Sequence, residues 1–228
     1  MPNTNSSPSS ATSPRAPRGH AIAAAAAVVL AGVLIAAVPV RPSRRARRAP
    51  DALAAVRQAT ARYRDVKQAL ADGYIRDPMN MCVTASTEGQ PEWVGGMGIH
   101  YFRPNVLGIT ATKPRVDGTG TNTDFTHPGV LIYEPQADGS LQLVAVENLV
   151  FEKAWRAAGH DAPPAFDGHQ YFHMIDNPLT PADEAHGFQP HYELHIWTER
   201  PNPHGTFMEF NPNVTCRYHH AQAAASKH

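Results

Sequence analysis

The chain has 228 residues, thirteen histidines, only two cysteines and a formal net charge of zero. All twenty acidic residues follow residue 50, while seven of the twenty Lys and Arg precede it, so residues 51–228 carry thirteen positive against twenty negative charges. An acidic domain argues against nucleic acid as a partner, since phosphate binding needs a basic surface, and suits cations.

Residues 1–20 are rich in Ser, Pro and Asn with almost nothing apolar, and are expected to be disordered. Residues 21–40, AIAAAAAVVLAGVLIAAVPV, form an uncharged run long enough to span a bilayer core as a helix, which reads as a signal peptide or a membrane anchor. Ile35-Ala36-Ala37 offers small residues for cleavage, whereas the length of the run favours retention. An Arg-rich linker, 41–50, follows with five arginines. Positive charge there would by itself hold the rest of the chain inside. Cys82 and Cys216 point the other way. An even pair behind an export segment favours a disulfide and an exported location: periplasmic, secreted or anchored at the outer face of the cytoplasmic membrane.

Residues 51–218 are expected to make a single globular domain, and 219–228 a flexible tail. Within the domain, Leu53, Val56, Ala59, Tyr63, Val66 and Leu70 recur at helical spacing, with Asp51 placed to cap and Gly73 to stop. One amphipathic helix over 50–74 is predicted. The pattern then changes to period two. GGMGIHYF (95–102), HYELHIW (191–197) and TFMEF (206–210) read as strands, and VLIYEPQADGSLQLVAVENL (130–149) as a hairpin turning at Gln136-Ala137-Asp138-Gly139. The expected fold is mainly β, a sandwich or small barrel, with the N-terminal helix packed on it.

Chemistry is sought first in HYELHIW. As a helix it would set His191 and His195 one turn apart, but in a strand they lie about 13 Å apart and cannot share an ion. Tyr, Leu, Ile and Trp favour the strand. Its polar face then carries His191, Glu193, His195 and Trp197, and Glu193 can chelate with either histidine, about 6.6 Å being the spacing of second neighbours. A further ligand must come from another strand. His100, in an apolar strand whose glycines at 95, 96 and 98 suggest close backbone approach, is the best candidate. Glu147 is the next: on the strand face of Leu141, Leu143, Ala145 and Leu149, its carboxylate needs a metal, a cation or a raised pKa. Glu134 lies nearer the turn, too far away to share that ion, and is readable as solvated. His169 and His173 would meet only in a helix. No G-x-S-x-G, Walker A, H-E-x-x-H or C-x-x-C motif occurs.

ATARYRDVKQALADGY, GMGIHY, LIYEP with LQLVAVE, and HYELHIW followed by NPHGTFMEFNPNVTC together resemble a family of small exported bacterial proteins of unassigned function, over about residues 59–216. The resemblance implies export and one compact domain and carries over no active site.

These residues predict an exported domain binding one transition metal through His100, Glu147, His191, Glu193 and His195. Mixed N/O ligands suit zinc, copper, iron or manganese. An open coordination position would make the site catalytic, and a closed one structural. The alternatives are a small-ligand module lined by Trp93, Tyr101, Trp197 and the histidines, or a structural envelope protein whose polar strand face is simply hydrated.

Overall fold

The structure is a computed structural model that describes residues 51–111, 115–180 and 183–219. The expected disordered N-terminus, the apolar run 21–40, the Arg-rich linker 41–50 and the tail from 220 lie outside the described residues. No helix among the described residues is long and apolar enough to cross a membrane.

The single N-terminal helix is corrected to three pieces: α1 (Ala52–Thr60), a 3-10 turn (Ala61–Arg64) and α2 (Val66–Ala71). Asp51 caps α1 as expected, accepting from the Leu53 amide at 3.2 Å. Asp65 then breaks the run: its backbone is extended, and its carboxylate accepts the Lys67 amide and starts α2 afresh. A restarted helix has a new phase. Ala69 is therefore buried, while Leu70, on the expected stripe, is 52% exposed. Two further short helices follow, α3 (Pro104–Leu107) and α4 (Glu152–Ala157).

The strands are β1 (Ile75–Arg76), β2 (Cys82–Thr84), β3 (Gly96–Phe102), β4 (Ile109–Ala111), β5 (Asp117–Gly118), β6 (Val130–Pro135), β7 (Leu141–Phe151), β8 (Ala165–Phe166), β9 (His169–Gln170), β10 (Phe172–Met174) and β11 (His191–Ile196). The fold is mainly β. Seven strands form one sheet in the order β1-β3-β6-β7-β11-β10, with β2 also on β3, and β4-β5 and β8-β9 make two small ribbons. All pairings in the large sheet are antiparallel. The β6–β7 hairpin turns where predicted, and Asp138 accepts the Ser140 amide while Gly139 takes a φ of +82°.

One of the expected strands differs, and a segment not expected to be a strand forms two. TFMEF forms turns, because its backbone is spent on the end of β11, Trp197 donating from its amide to the Thr206 carbonyl and from its indole to Met208 O. The FDGHQYFHM segment is β9 and β10, so His169 and His173 do not share a helical face; His173 meets Glu152 at 2.9 Å instead.

The sheet has two buried faces. Ile99, Tyr101, Leu131, Tyr133, Val146, Val150, Tyr192, Leu194 and Ile196 pack under the N-terminal helices. Val130, Ile132, Ala145, Leu149, Phe151 and Trp197 form the opposite face with Leu107 of α3 and Val214. Leu143 and Ala145 were expected on one face. A bulge opposite Ile132 and Tyr133 inserts Val144, so Leu143 joins the helix face while Ala145, Glu147 and Leu149 take the other. The bulge lies beside Gly98, whose φ is +118° and where a Cβ would sit 2.6 Å from Tyr133 O. The close approach expected of this glycine-rich strand is thus present.

Cys82 and Cys216 form a disulfide with Cα atoms 5.7 Å apart, tying β2 to the C-terminal segment. A structural disulfide is compatible with an oxidising, exported location.

Candidate metal centre

The opposite face of the sheet collects the predicted residues. Antiparallel register sets His195 directly across from Glu147 on β7, and β6 separates Glu147 from His100 on β3. The side chains of His100, Glu147 and His195 bridge those strands. One ligand atom from each lies within 4.8 Å of the other two, an arrangement that could hold a metal ion. Glu147 Oε2 is 3.5 Å from His100 Nε2 and 3.5 Å from His195 Nε2. Ligands on a tetrahedral ion with bonds of about 2.0–2.1 Å lie about 3.3 Å apart, so modest closure would suffice.

These contacts are not ordinary ion pairs. Burial first, and then the adjacent His195, depress His100 to about 3. Burial likewise lowers His195, against the pull of Glu193. Both rings are therefore neutral at physiological pH and offer lone pairs. Glu147 is driven well above the usual carboxylate range by burial and then by the neighbouring Glu193 charge. Its Oε2 has no hydrogen-bond partner, and neither does either nitrogen of His195. Buried polar atoms without partners are rare and costly.

His191 and Glu193 lie beside this group and play a different part. His191 Nδ1 donates to the Gln189 carbonyl at 3.0 Å, and its Nε2 lies 3.3 Å from Glu193 Oε2. Burial opposes ionisation of Glu193, but that hydrogen bond and the nearby histidines hold it well below the usual carboxylate range. Its other oxygen is 4.0 Å from His195 Nδ1. Glu193 thus lies behind His195, just beyond hydrogen-bond distance of its Nδ1, on the side from which a carboxylate can orient a metal-binding imidazole.

Glu134 is not solvated. Although it lies near the turn as predicted, it is buried, ion-paired with Arg200 and accepts the Thr215 amide at 2.8 Å.

Sequence reasoning missed His186, Glu88 and Glu209. His186 Nδ1 meets Glu88 Oε1 at 2.9 Å. Burial disfavours its charge, but Glu88, Glu193 and Glu209 together raise it to about 9. Glu209 is pushed up to about 7 by burial and by the charges of Glu193 and Glu88. Glu88 ends a short 3-10 helix (Ala85–Glu88), and the other two residues come from turns or loops. His186 is held by a segment whose ends are fixed by Arg115, which pairs with Asp176 and Asp183, and by the bridge between Val116 and Phe188.

A cavity of about 540 Å³ opens onto the group and is lined by His100, Glu147, His191 and Glu193, with His186 and Glu88 at one side. The aromatic lining expected of a small-ligand module is not the one found. Tyr101 belongs to the helix-face core, Trp197 to the packed opposite face, and Trp93 is 71% exposed; none of them lines this cavity.

No protein-family model, curated protein or solved structure matches the chain. The arrangement of donors therefore stands on its own geometry.

Proposed function

We propose that this is an exported protein that binds one transition-metal ion through His100 Nε2, Glu147 Oε2 and His195 Nε2, with Glu193 orienting His195. The observation that carries the reading is the convergence of buried donors left unpaired: both nitrogens of His195 and Oε2 of Glu147, beside His100. A fold that hydrogen-bonds Glu134 and His191 thoroughly leaves these atoms bare, and one ion would satisfy His195 Nε2 and Glu147 Oε2 together. Two imidazoles and a carboxylate suit zinc, copper, iron or manganese. Such an ion, when bound, would supply Lewis-acid chemistry. Export through residues 21–40 accords with the disulfide, and with the resemblance to small exported bacterial proteins.

Elemental analysis tests this on protein purified without a histidine tag from an oxidising compartment and then reconstituted. Wild type should hold one equivalent of metal, and His100→Ala and His195→Ala should each lose it. Equal metal in wild type and both variants would overturn the assignment.

A further inference from the structure

The cavity's chemistry bears on what the ion would meet. His100 and Glu147 line it, whereas His195 does not, so the free side of an ion held by the three faces the cavity. Beyond this inner wall the lining is mainly apolar, with Met97, Phe102, Leu149 and Phe188, and its further titratable side chains are Asp77, Glu88 and His186. At the mouth stand Ile75, Met79 and Met81, and Met79 is 74% exposed. An apolar molecule entering there would pass flexible thioethers that adapt to its shape.

Charge narrows the head group. Glu147 and Glu193 balance a divalent ion, and Glu88 is balanced by His186. No Lys or Arg among the described residues lines the cavity. A carboxylate or phosphate ligand would bring an anion among four carboxylates, Asp77, Glu88, Glu147 and Glu193, with no Lys or Arg to pair it, which is costly in a low-dielectric site. An ammonium is electrostatically acceptable, but it has no lone pair to give an ion. A neutral oxygen donor escapes both objections. Three protein ligands leave one position on a tetrahedral ion, so one donor atom is enough.

We propose, building on the metal reading above, that the site takes an uncharged amphiphile: an apolar, aromatic-sized body in the cavity, with a single hydroxyl on the ion. The volume falls in the range of small-molecule sites, about 300–1,000 Å³.

Cobalt(II) provides a spectroscopic ion and keeps the two readings separable. The full chain is first loaded with cobalt alone. Failure to take up cobalt at His100, Glu147 and His195 would overturn the metal reading before any probe is added, and this inference with it. With cobalt bound, three probes of one shape are compared: 4-hydroxybiphenyl, biphenyl and biphenyl-4-carboxylate. The hydroxyl compound should shift the cobalt visible bands and bind at least about tenfold more tightly than the other two, since a polar site discriminates strongly against analogues lacking its partner group. Val116→Trp fills a partly exposed wall position that supplies none of the three ligands. It should leave the cobalt spectrum unchanged and abolish the probe response. Unmoved bands, carboxylate binding as tight as the phenol's, or a full response in Val116→Trp would each overturn the inference while leaving the metal site in place.

Discussion

Along β11, Tyr192, Leu194 and Ile196 turn to the helices, and His191, Glu193 and His195 turn to the other side; all six are buried. The two faces differ in how they treat polar atoms. Beneath the helices, Tyr133 donates to the Tyr63 carbonyl at 2.7 Å and Tyr74 to Pro128 O at 2.6 Å. Across the sheet, His195 and Glu147 are equally buried, with donor atoms bare. Burial on the first face stabilises the fold. On the second it prepares a site at the fold's expense, as binding sites often do. Substitutions on the two faces should therefore change stability in opposite directions.

The largest effect should come from the bond that holds both faces. Cys82 packs at the helix-face core, and Cys216 follows Val214, which packs on the other. The two cysteines are 134 residues apart. A loop of that length corresponds to about 5 kcal/mol in the chain-entropy model. Cys82→Ser/Cys216→Ser should lose most of that in urea unfolding; a loss under about 1 kcal/mol would show that the bridge constrains little.

Next comes Tyr133 on the helix face. Truncation to Ala removes a fully buried ring and its hydrogen bond to Tyr63, and large-to-small changes of this kind cost about 3–5 kcal/mol. The equivalent change opposite should have the reverse sign. Glu147→Leu replaces a desolvated carboxyl, flanked by neutral imidazoles, with an apolar group of similar size. Metal-free protein should gain about 1–2 kcal/mol, by analogy with apolar replacement of buried charged groups, while metal binding disappears. Thermal melts in a chelator, paired with metal titration, read both. A loss of stability in the chelator would mean that Glu147 supports the fold, and would erase the contrast between the faces.

The sequence makes one part of this contrast legible and hides another. Period-two alternation sorts β11 correctly, because both faces of a strand follow from a fixed geometry. His100 stands out because glycines surround it. Leu143 and Glu147 cannot be sorted in the same way: the bulge at Val144 belongs to the pairing with Ile132 and Tyr133, and local sequence does not contain it. Asp65 is a different case, since a capping aspartate inside a helical stripe is a local signal outweighed by the apolar period. Glu88, His186 and Glu209 left no pattern at all. They reach the site from a short 3-10 helix, turns and loops positioned by distant contacts, among them Arg115 with Asp183.

Glu209 gives the smallest effect and the finest test of that hidden part. Its folded pKa is raised from 4.5 to about 7 by burial, Glu193 and Glu88, with His186 opposing. A raised acid favours folding only while protonated. As pH climbs from 4.5 towards 7, the unfolded carboxyl ionises freely while the folded one resists, so stability is lost across that window. Glu209→Gln removes the titration. In chelator, the variant should match wild type near pH 4.5 and exceed it by about 1 kcal/mol at pH 7.5, a figure reduced for partial solvent screening. The gap should narrow when metal is added, because a divalent ion offsets the Glu193 charge that helps raise Glu209, while the cost of burial remains. A gap that is independent of pH would place Glu209 outside the electrostatic reach of the centre, and would leave His186 and Glu88 as a separate pair.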